Sequence, residues 1–201
     1  MLKLKTVLII AFLVFSTSSL AHANEPTLAA TDNSNRTIPL EKGKQYLMEL
    51  LEKLNKRYSK CCIIGPFEDM GKLSKGFINT GWIKSEEMKY FYSISDVTLN
   101  LSSLPESFSQ VCIESVFCGT PIICFKTGNI PALNKLTESI ILVEKDVNAI
   151  LEGIDKAFKI KIDNEKTKVA KDIIKEEFNN KKIVNMYIEL YKKYLKEKNN
   201  V

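Results

Sequence analysis

The chain of 201 residues has almost no histidine. Its single histidine, His22, lies near the N-terminus in a segment with signal-peptide features. A mature protein without that segment contains no histidine, which excludes histidine-based triads, histidine general bases and most zinc sites. Glycine and proline are also scarce, at 8 and 6 residues, while 45% of the residues are hydrophobic. This composition excludes collagen-like and disordered chains and indicates a globular protein.

No part of the chain is strongly basic. The formal charge of +5 is spread along the sequence, whereas a nucleic-acid-binding domain concentrates its lysines and arginines on one surface. The lysine-rich C-terminal segment fits the solvent-facing sides of two amphipathic helices. We therefore expect no nucleic-acid partner.

The sequence also lacks an apolar run long enough to cross a bilayer. The run at residues 7–15 has nine residues, compared with about 20 for a membrane-spanning helix. Lys3 and Lys5 precede this run, and small or polar residues follow it as far as Ala21-His22-Ala23. This is the layout of a secretory signal peptide.

We accordingly expect cleavage after Ala23. Residues 1–23 would be the signal peptide, and residues 24–201 would be the mature domain, exported or held in the cell envelope. Two alternatives stay open: the apolar run is a buried first strand or helix of the domain, or the sequence starts too far upstream.

Cysteine usage favours a cytoplasmic location instead. The chain has five cysteines, an odd number, with no Cys-x-x-Cys pair and no metal-ligand spacing; they are Cys61, Cys62, Cys112, Cys118 and Cys124. Four lie among isoleucine, valine and phenylalanine, where cysteine behaves as a small core residue. Exported chains usually pair their cysteines, so the two indications of location conflict.

Apolar runs of strand length alternate with segments of helical periodicity. The predicted strands lie at residues 61–64, 76–80, 96–101, 122–125 and 140–143. The predicted helices lie at residues 41–58, 111–117, 146–158, 164–178 and 181–198, together with one that Ser85 caps and in which Tyr92 faces inward. Residues 127–131 are predicted to form a turn-rich loop. This order predicts an α/β domain with a doubly wound, Rossmann-like parallel sheet and helices on both of its faces.

Two glutamates stand out in the loop and helix that follow the third predicted strand. Glu114 lies in a helix that is apolar nearly all round, so we expect its carboxylate to be shielded from water and to need a partner. Glu106 lies in the loop before that helix, at the carboxyl end of a strand, where open α/β sheets bind ligands. Ser109 is the predicted N-cap, and free amides at residues 108–111 would attract phosphate.

Phosphate-binding amides between two carboxylates suit a ligand that joins a diphosphate to a sugar. A carboxylate accepts hydrogen bonds from two neighbouring hydroxyls, as on a ribose or a hexose. The alternative is that Glu106 is a solvated loop residue and that Glu114 is paired with a lysine from another helix. Spacing alone leaves both interpretations open.

Around these glutamates the sequence resembles the retaining glycosyltransferases of family 4, which have the GT-B fold. Seven residues separate Glu106 from Glu114, as in that family's paired-glutamate motif. Further segments follow the family's order: Arg36 with Lys42-Gly43, and residues 77–83, 92–97, 118–123 and 187–195. The resemblance implies that the chain is the C-terminal half of a GT-B fold, the half that binds the sugar donor.

The resemblance implies a site for a nucleotide-sugar. Glu114 would bind the ribose hydroxyls of the nucleotide. The backbone around Ser107, Phe108 and Ser109 would contact the sugar and the diphosphate. Gly65, at the end of a predicted strand, belongs to the same site.

The resemblance also implies which residues take part in transfer of a hexose-type sugar to a glycan or lipid-linked acceptor. Glu106 would hold sugar hydroxyls near the leaving group, and Arg36 with Lys42 would neutralise the departing diphosphate. Because this basic pair supplies the electrostatic stabilisation, we expect no metal ion. The leaving phosphate would assist the acceptor hydroxyl, so the reaction needs no histidine.

The sequence departs from the family pattern at three places. Ser107 and Ser109 replace glycines, which tightens the loop and bears on the choice of sugar. The family's GGxPE motif appears as Gly-Asn-Ile-Pro-Ala at residues 128–132. Arg36 and Lys42 are one residue further apart than in the family pattern, which weakens their assignment.

A GT-B fold places a second domain of similar size across the cleft to bind the acceptor, and this chain is too short for both. We therefore expect a separate acceptor-domain subunit, or a homodimer through the C-terminal helix. Without such a partner, Tyr187, Leu190, Tyr191 and Tyr194 would be exposed. The alternatives are a non-catalytic module that binds nucleotide-sugars and a truncated remnant.

Overall fold

The computed structural model describes residues 6–11, 44–57, 60–65, 77–80, 83–105 and 107–199. These residues contain six strands: β1 (Thr6–Ala11), β2 (Lys60–Gly65), β3 (Phe77–Asn79), β4 (Val97–Asn100), β5 (Ile122–Phe125) and β6 (Ile140–Val143). They also contain seven helices: α1 (Lys44–Arg57), α2 (Ser85–Ile94), α3 (Gln110–Phe117), α4 (Ile130–Asn134), α5 (Val147–Lys161), α6 (Asn164–Glu177) and α7 (Asn180–Asn199).

The six strands are parallel and form one sheet in the order β3-β2-β1-β4-β5-β6. The chain starts at the centre, runs outward to β3, returns to β4 beside β1 and continues to β6. Doubly wound sheets bind ligands where the strand order reverses, outside the carboxyl ends of the strands. In this sheet that point lies between β1 and β4, and the predicted fold class is confirmed.

Helices cover both faces of the sheet, so its strands are buried on two sides. One core joins α1 and α5 to Val97 and Leu99 of β4. The other core contains Tyr92 of α2, Val116 of α3 and Ile174 of α6. Burial on both faces explains why β5 and β6 are apolar runs rather than alternating sequences.

The apolar N-terminal segment supplies the central strand. Ile9 of β1 is fully buried and pairs with Ile63 of β2 on one side and Val97 of β4 on the other. In the full-length chain this segment therefore forms the buried first strand that the sequence left open beside the signal peptide. The cleavage site after Ala23 lies outside the described residues, and cleavage there stays a prediction.

The structure corrects two local predictions. The loop predicted at residues 127–131 contains the start of α4, because Pro131 occupies the first turn of that helix, where its fixed φ is favourable. Ser85 is the first residue of α2 rather than its cap, which is Lys84. The predicted strands at residues 122–125 and 140–143 match β5 and β6 to the residue.

The C-terminal helix α7 is exposed along most of its length. From Val184 to Lys198 every residue is exposed. The exposed apolar side chains of α7 are Val184, Met186, Tyr187, Ile188, Leu190, Tyr191, Tyr194 and Leu195. No helix in the described part of the chain combines the length and apolarity needed to cross a membrane.

Candidate functional site

Two buried hydroxyls mark the carboxyl edge of the sheet. Ser102 follows β4 by two residues and Thr127 follows β5 by two residues, and the register pairs Asn100 with Cys124 at the ends of these strands. Ser102 is 2% exposed and Thr127 is 9% exposed, yet the side-chain oxygen of each has no hydrogen-bond partner among the described residues. Buried hydroxyls are normally satisfied, so two unpaired ones at one edge indicate a place where a polar ligand binds.

Helix α3 begins beside these hydroxyls. Ser109 is its N-cap residue, as predicted, but the side chain makes no capping hydrogen bond. Its Oγ instead accepts a hydrogen bond of 3.1 Å from Nδ2 of Asn100, at the end of β4. The first-turn amides of α3 are therefore not capped by a side chain, and such a helix start favours an anion.

The loop before α3 carries the other residues predicted to meet the diphosphate. Ser107 and Phe108 are exposed, and the Phe108 ring packs edge-on against Phe178, with ring centroids 5.5 Å apart. Gly65 is the last residue of β2, so its backbone lies at the same carboxyl edge, separated from β4 by β1. The structure thus brings these predicted residues to one edge of the sheet.

Three predicted residues lie outside the described part of the chain. They are Glu106, Arg36 and Lys42. Their roles stay predictions.

Glu114 is exposed. The sequence predicted a shielded carboxylate, and this prediction is wrong. Helix α3 is buried on one side only, and Gln110, Glu114 and Phe117 form its exposed side at helical spacing. Phe117 misled the prediction because it is an apolar residue on the exposed side.

The carboxylate of Glu114 is nevertheless held in place. Its Oε2 accepts a hydrogen bond of 3.0 Å from the hydroxyl of Tyr92 on α2. In the described residues no lysine or arginine forms an ion pair with Glu114, which removes the lysine-paired alternative there. The remaining acceptor positions of the carboxylate are not used by the described residues.

The surroundings of Tyr92 and Glu114 shift the pKa values of both side chains. Contact with the protein desolvates the carboxyl and raises the pKa of Glu114 above its ordinary value, although the hydrogen bond from Tyr92 acts to lower it. Burial and the nearby Glu114 charge raise the pKa of the Tyr92 hydroxyl well above its usual range. Tyr92 is therefore protonated near neutral pH and acts as the donor of the bond.

Sequence reasoning missed Tyr92, Ser102 and Thr127 as site residues. Helical spacing predicted that Tyr92 faces inward, but its partner depends on how α2 packs against α3. Ser102 and Thr127 lie just beyond strand ends, and nothing in a single sequence distinguishes an unsatisfied hydroxyl there from a satisfied one.

A concavity lies at the opposite, amino edge of the sheet. It is a groove of about 730 Å³ between the segment before β6 and the start of α6, with Lys135, Lys156 and Lys166 on its walls. Lys166 is paired with Glu138 at 3.3 Å. No group of three histidine, cysteine, aspartate or glutamate residues is placed to hold a metal ion within the described ranges.

Comparisons with known proteins give one family. The model of the family described as glycosyl transferases group 1 matches residues 35–177. No curated protein matches the sequence significantly.

Several solved structures share the fold. A sucrose-phosphate synthase from Thermosynechococcus elongatus is 17% identical with a TM-score of 0.67, over 98% of this chain and 47% of that chain. A glycosyltransferase from Rickettsia africae is 21% identical with a TM-score of 0.64, over 96% and 49%. Anabaena HepE, solved in complex with UDP and glucose, is 14% identical with a TM-score of 0.61, over 94% and 48%. The chain therefore spans about half the length of these structures.

Proposed function

This chain belongs to the family of glycosyl transferases group 1, and we propose that it binds the nucleotide-sugar donor of a retaining glycosyltransferase of family 4. The site is the carboxyl edge of the sheet, where α3 begins. The observation that carries the proposal is the pair of buried hydroxyls without partners, Ser102 and Thr127, beside the uncapped start of that helix.

These groups suit a diphosphate and a sugar. An unsatisfied buried hydroxyl costs about 1–3 kcal/mol, which a ligand recovers when it supplies a partner. The free amides at the start of α3 and the positive end of its dipole favour a phosphate group. The same edge thus offers hydroxyl partners and an anion site together.

Glu114 binds the nucleoside part of the sugar donor in this proposal. Its carboxylate is exposed and fixed through one oxygen by Tyr92, so its open acceptor positions can take two ribose hydroxyls. This differs from the shielded site that the sequence predicted, but the chemistry of recognition is unchanged. A UDP complex is known for Anabaena HepE, which has this fold.

We propose that residues outside the described ranges complete the reaction. Glu106 holds the sugar, and Arg36 with Lys42 neutralises the diphosphate. The acceptor hydroxyl attacks the anomeric carbon on the face from which the diphosphate leaves, and its proton passes to the leaving phosphate oxygen. The product is a hexosylated glycan or lipid-linked acceptor with retained configuration, and the basic pair performs the neutralisation for which a metal would otherwise serve.

We propose that a second chain supplies the acceptor side of the cleft. This chain spans about half the length of the solved relatives, and α7 presents an apolar side with no covering element in the described part of the structure. A patch of this kind indicates a protein interface. An acceptor-domain subunit docks there, and a homodimer through α7 is the competing arrangement.

Titration of UDP and GDP into the purified chain tests the sugar-donor site. Glu114→Gln removes the charge that strengthens the hydrogen bonds to ribose, and we expect about a ten- to hundredfold loss of affinity. Glu152→Gln, an exposed glutamate on α5, is the matched control and should bind as the wild type does. Equal binding by wild type and Glu114→Gln would contradict the role of Glu114.

A second candidate function is a module that binds nucleotide-sugars without transferring them. The half-length coverage of the solved relatives favours it. Transfer assays with and without a candidate acceptor subunit separate the two functions, because only the transferase forms a glycosylated product when the subunit is added.

A further inference from the structure

One hydrogen bond links a buried residue to an exposed one at the proposed site. The Tyr92 hydroxyl lies 3.0 Å from Oε2 of Glu114. Tyr92 is 1% exposed, whereas Glu114 is exposed. The buried ring thus provides a fixed point for a side chain that would otherwise move freely in solvent.

The backbone and the ring of Tyr92 are both fixed by neighbouring residues. Its backbone carbonyl accepts a hydrogen bond of 2.6 Å from the Thr120 hydroxyl. The ammonium of Lys161, on α5, donates to that same Thr120 oxygen at 2.8 Å and to the Gly119 carbonyl at 3.0 Å. The ring packs in the core between α2, α3 and α6, and close-packed interiors leave little room for a change of rotamer.

We propose that Tyr92 is a positioning residue that holds the Glu114 carboxylate in the orientation that receives the ribose of the sugar donor. The inference rests on the proposed function of Glu114. A free glutamate loses rotamer freedom when it binds a ligand, and this loss weakens binding. A glutamate already fixed by Tyr92 has lost that freedom before the ligand arrives.

Removing the hydroxyl should change two measurable quantities. In Tyr92→Phe the carboxylate is no longer ordered, so the dissociation constant for UDP or GDP should rise about two- to tenfold. The hydrogen bond from Tyr92 acts to lower the pKa of Glu114, so that pKa should rise further, as measured by carbon-13 NMR titration of the glutamate carboxyl.

Other ionisable groups near Glu114 are unchanged by this substitution. Cys118 follows α3, and the nearby Glu114 charge acts to raise the pKa of its thiol. Lys171, on α6, lies 5.3 Å from the centroid of the Phe117 ring at the next turn of α3. A changed titration of Glu114 in Tyr92→Phe therefore reports the lost hydroxyl.

The control is Tyr90→Phe. Tyr90 is on the same helix and is 62% exposed, so its hydroxyl can be removed without touching Glu114. We expect wild-type affinity and a wild-type Glu114 pKa in this variant. Thermal unfolding of both variants shows whether either substitution disturbs the fold.

A double-mutant cycle separates positioning from a general structural effect. If Tyr92 acts through Glu114, Tyr92→Phe should cause no further loss of affinity in the Glu114→Ala background, in which the tyrosine hydroxyl has no side-chain oxygen to hold. An equal loss in both backgrounds, or an unchanged Glu114 pKa in Tyr92→Phe, would overturn the inference. If the wild type binds neither UDP nor GDP, the proposed function fails and the ribose role of Tyr92 fails with it. The NMR titration then still reports whether the two side chains are coupled, so the two failures are distinguishable.

Discussion

At the scale of single residues, the site is recognisable by polar groups that the fold does not satisfy. Ser115 shows the usual case: its buried hydroxyl donates to the Thr120 carbonyl at 2.7 Å and lies 2.8 Å from the Thr98 hydroxyl. Ser102 and Thr127 are also buried, but their hydroxyls lack partners among the described residues. Unsatisfied groups reduce stability, and they persist in native proteins most often at functional sites.

Ser102→Ala and Thr127→Val should therefore separate stability from binding. Neither substitution removes a hydrogen bond of the free protein, so we expect the free energy of unfolding to stay the same or increase. Loss of a hydrogen bond to the ligand should weaken UDP or GDP binding about two- to tenfold. Thermal unfolding and calorimetric titration measure the two effects.

Ser115→Ala is the matched control for these variants. It leaves buried polar groups without a partner and should cost about 1–3 kcal/mol of stability. A comparable loss of stability in Ser102→Ala would mean that the Ser102 hydroxyl has a partner in the free protein, which would remove the basis for placing the ligand there.

The sequence predicted part of this site. The start of α3 at Ser109 and the carboxyl-edge location follow from local signals, namely a strand, a loop and then a helix. The exposure of Glu114 could not be predicted in this way, because the exposed side of α3 includes the apolar Phe117. Its partner Tyr92 is 22 residues away, and that contact depends on the packing of α2 against α3.

At the scale of elements, the sheet depends most on the N-terminal strand β1, because both β2 and β4 pair with it. β1 pairs with β2 over residues 6–10 and with β4 over residues 9–11. The sheet order β3-β2-β1-β4 means that removal of β1 would leave β2 and β4 each without a partner on the side that β1 occupies. Cleavage after Ala23 would separate β1 from the domain, so the observed sheet belongs to the uncleaved chain.

We predict that the chain of residues 24–201 does not unfold cooperatively as the full-length chain does. Loss of β1 exposes unpaired backbone groups of two strands and removes the fully buried Ile9 from the core. Circular dichroism during heating measures the transition. The matched control is a chain that ends at residue 179, because it removes only the exposed α7 and should keep a cooperative transition. A cooperative transition in the 24–201 chain at the full-length melting temperature would contradict the role of β1.

Elements with strong local signals were predicted from the sequence. α3 ends as predicted, because Gly119 has a φ of +79°, which favours glycine, and its amide donates to the Val116 carbonyl. The segment of β1 was predicted as a signal peptide, with a buried first strand as the alternative, because a short apolar run fits both. Its pairing with β2 and β4, distant in sequence, shows the strand in the full-length chain, and cleavage after Ala23 stays a prediction.

At the scale of the whole molecule, the chain is shorter than the proteins whose fold it shares. It matches about half the length of the solved relatives, and α7 presents a long apolar side to solvent. We therefore propose that sugar transfer takes place in an assembly and that this chain binds the sugar donor. Mapping of the mature N-terminus would distinguish an exported chain from a retained one. A chain cleaved after Ala23 would begin at residue 24 and would lack β1, on which the observed sheet depends.

We propose above all that a nucleoside diphosphate binds at the carboxyl edge of this sheet. The most direct test is nitrogen-15 NMR of the full-length chain during titration with UDP and GDP. We predict that the amides of Ser102, Gln110, Val111 and Thr127 shift most. Shifts confined to the groove at the amino edge, around Lys135 and Lys166, or no shifts with either nucleotide, would contradict the claim.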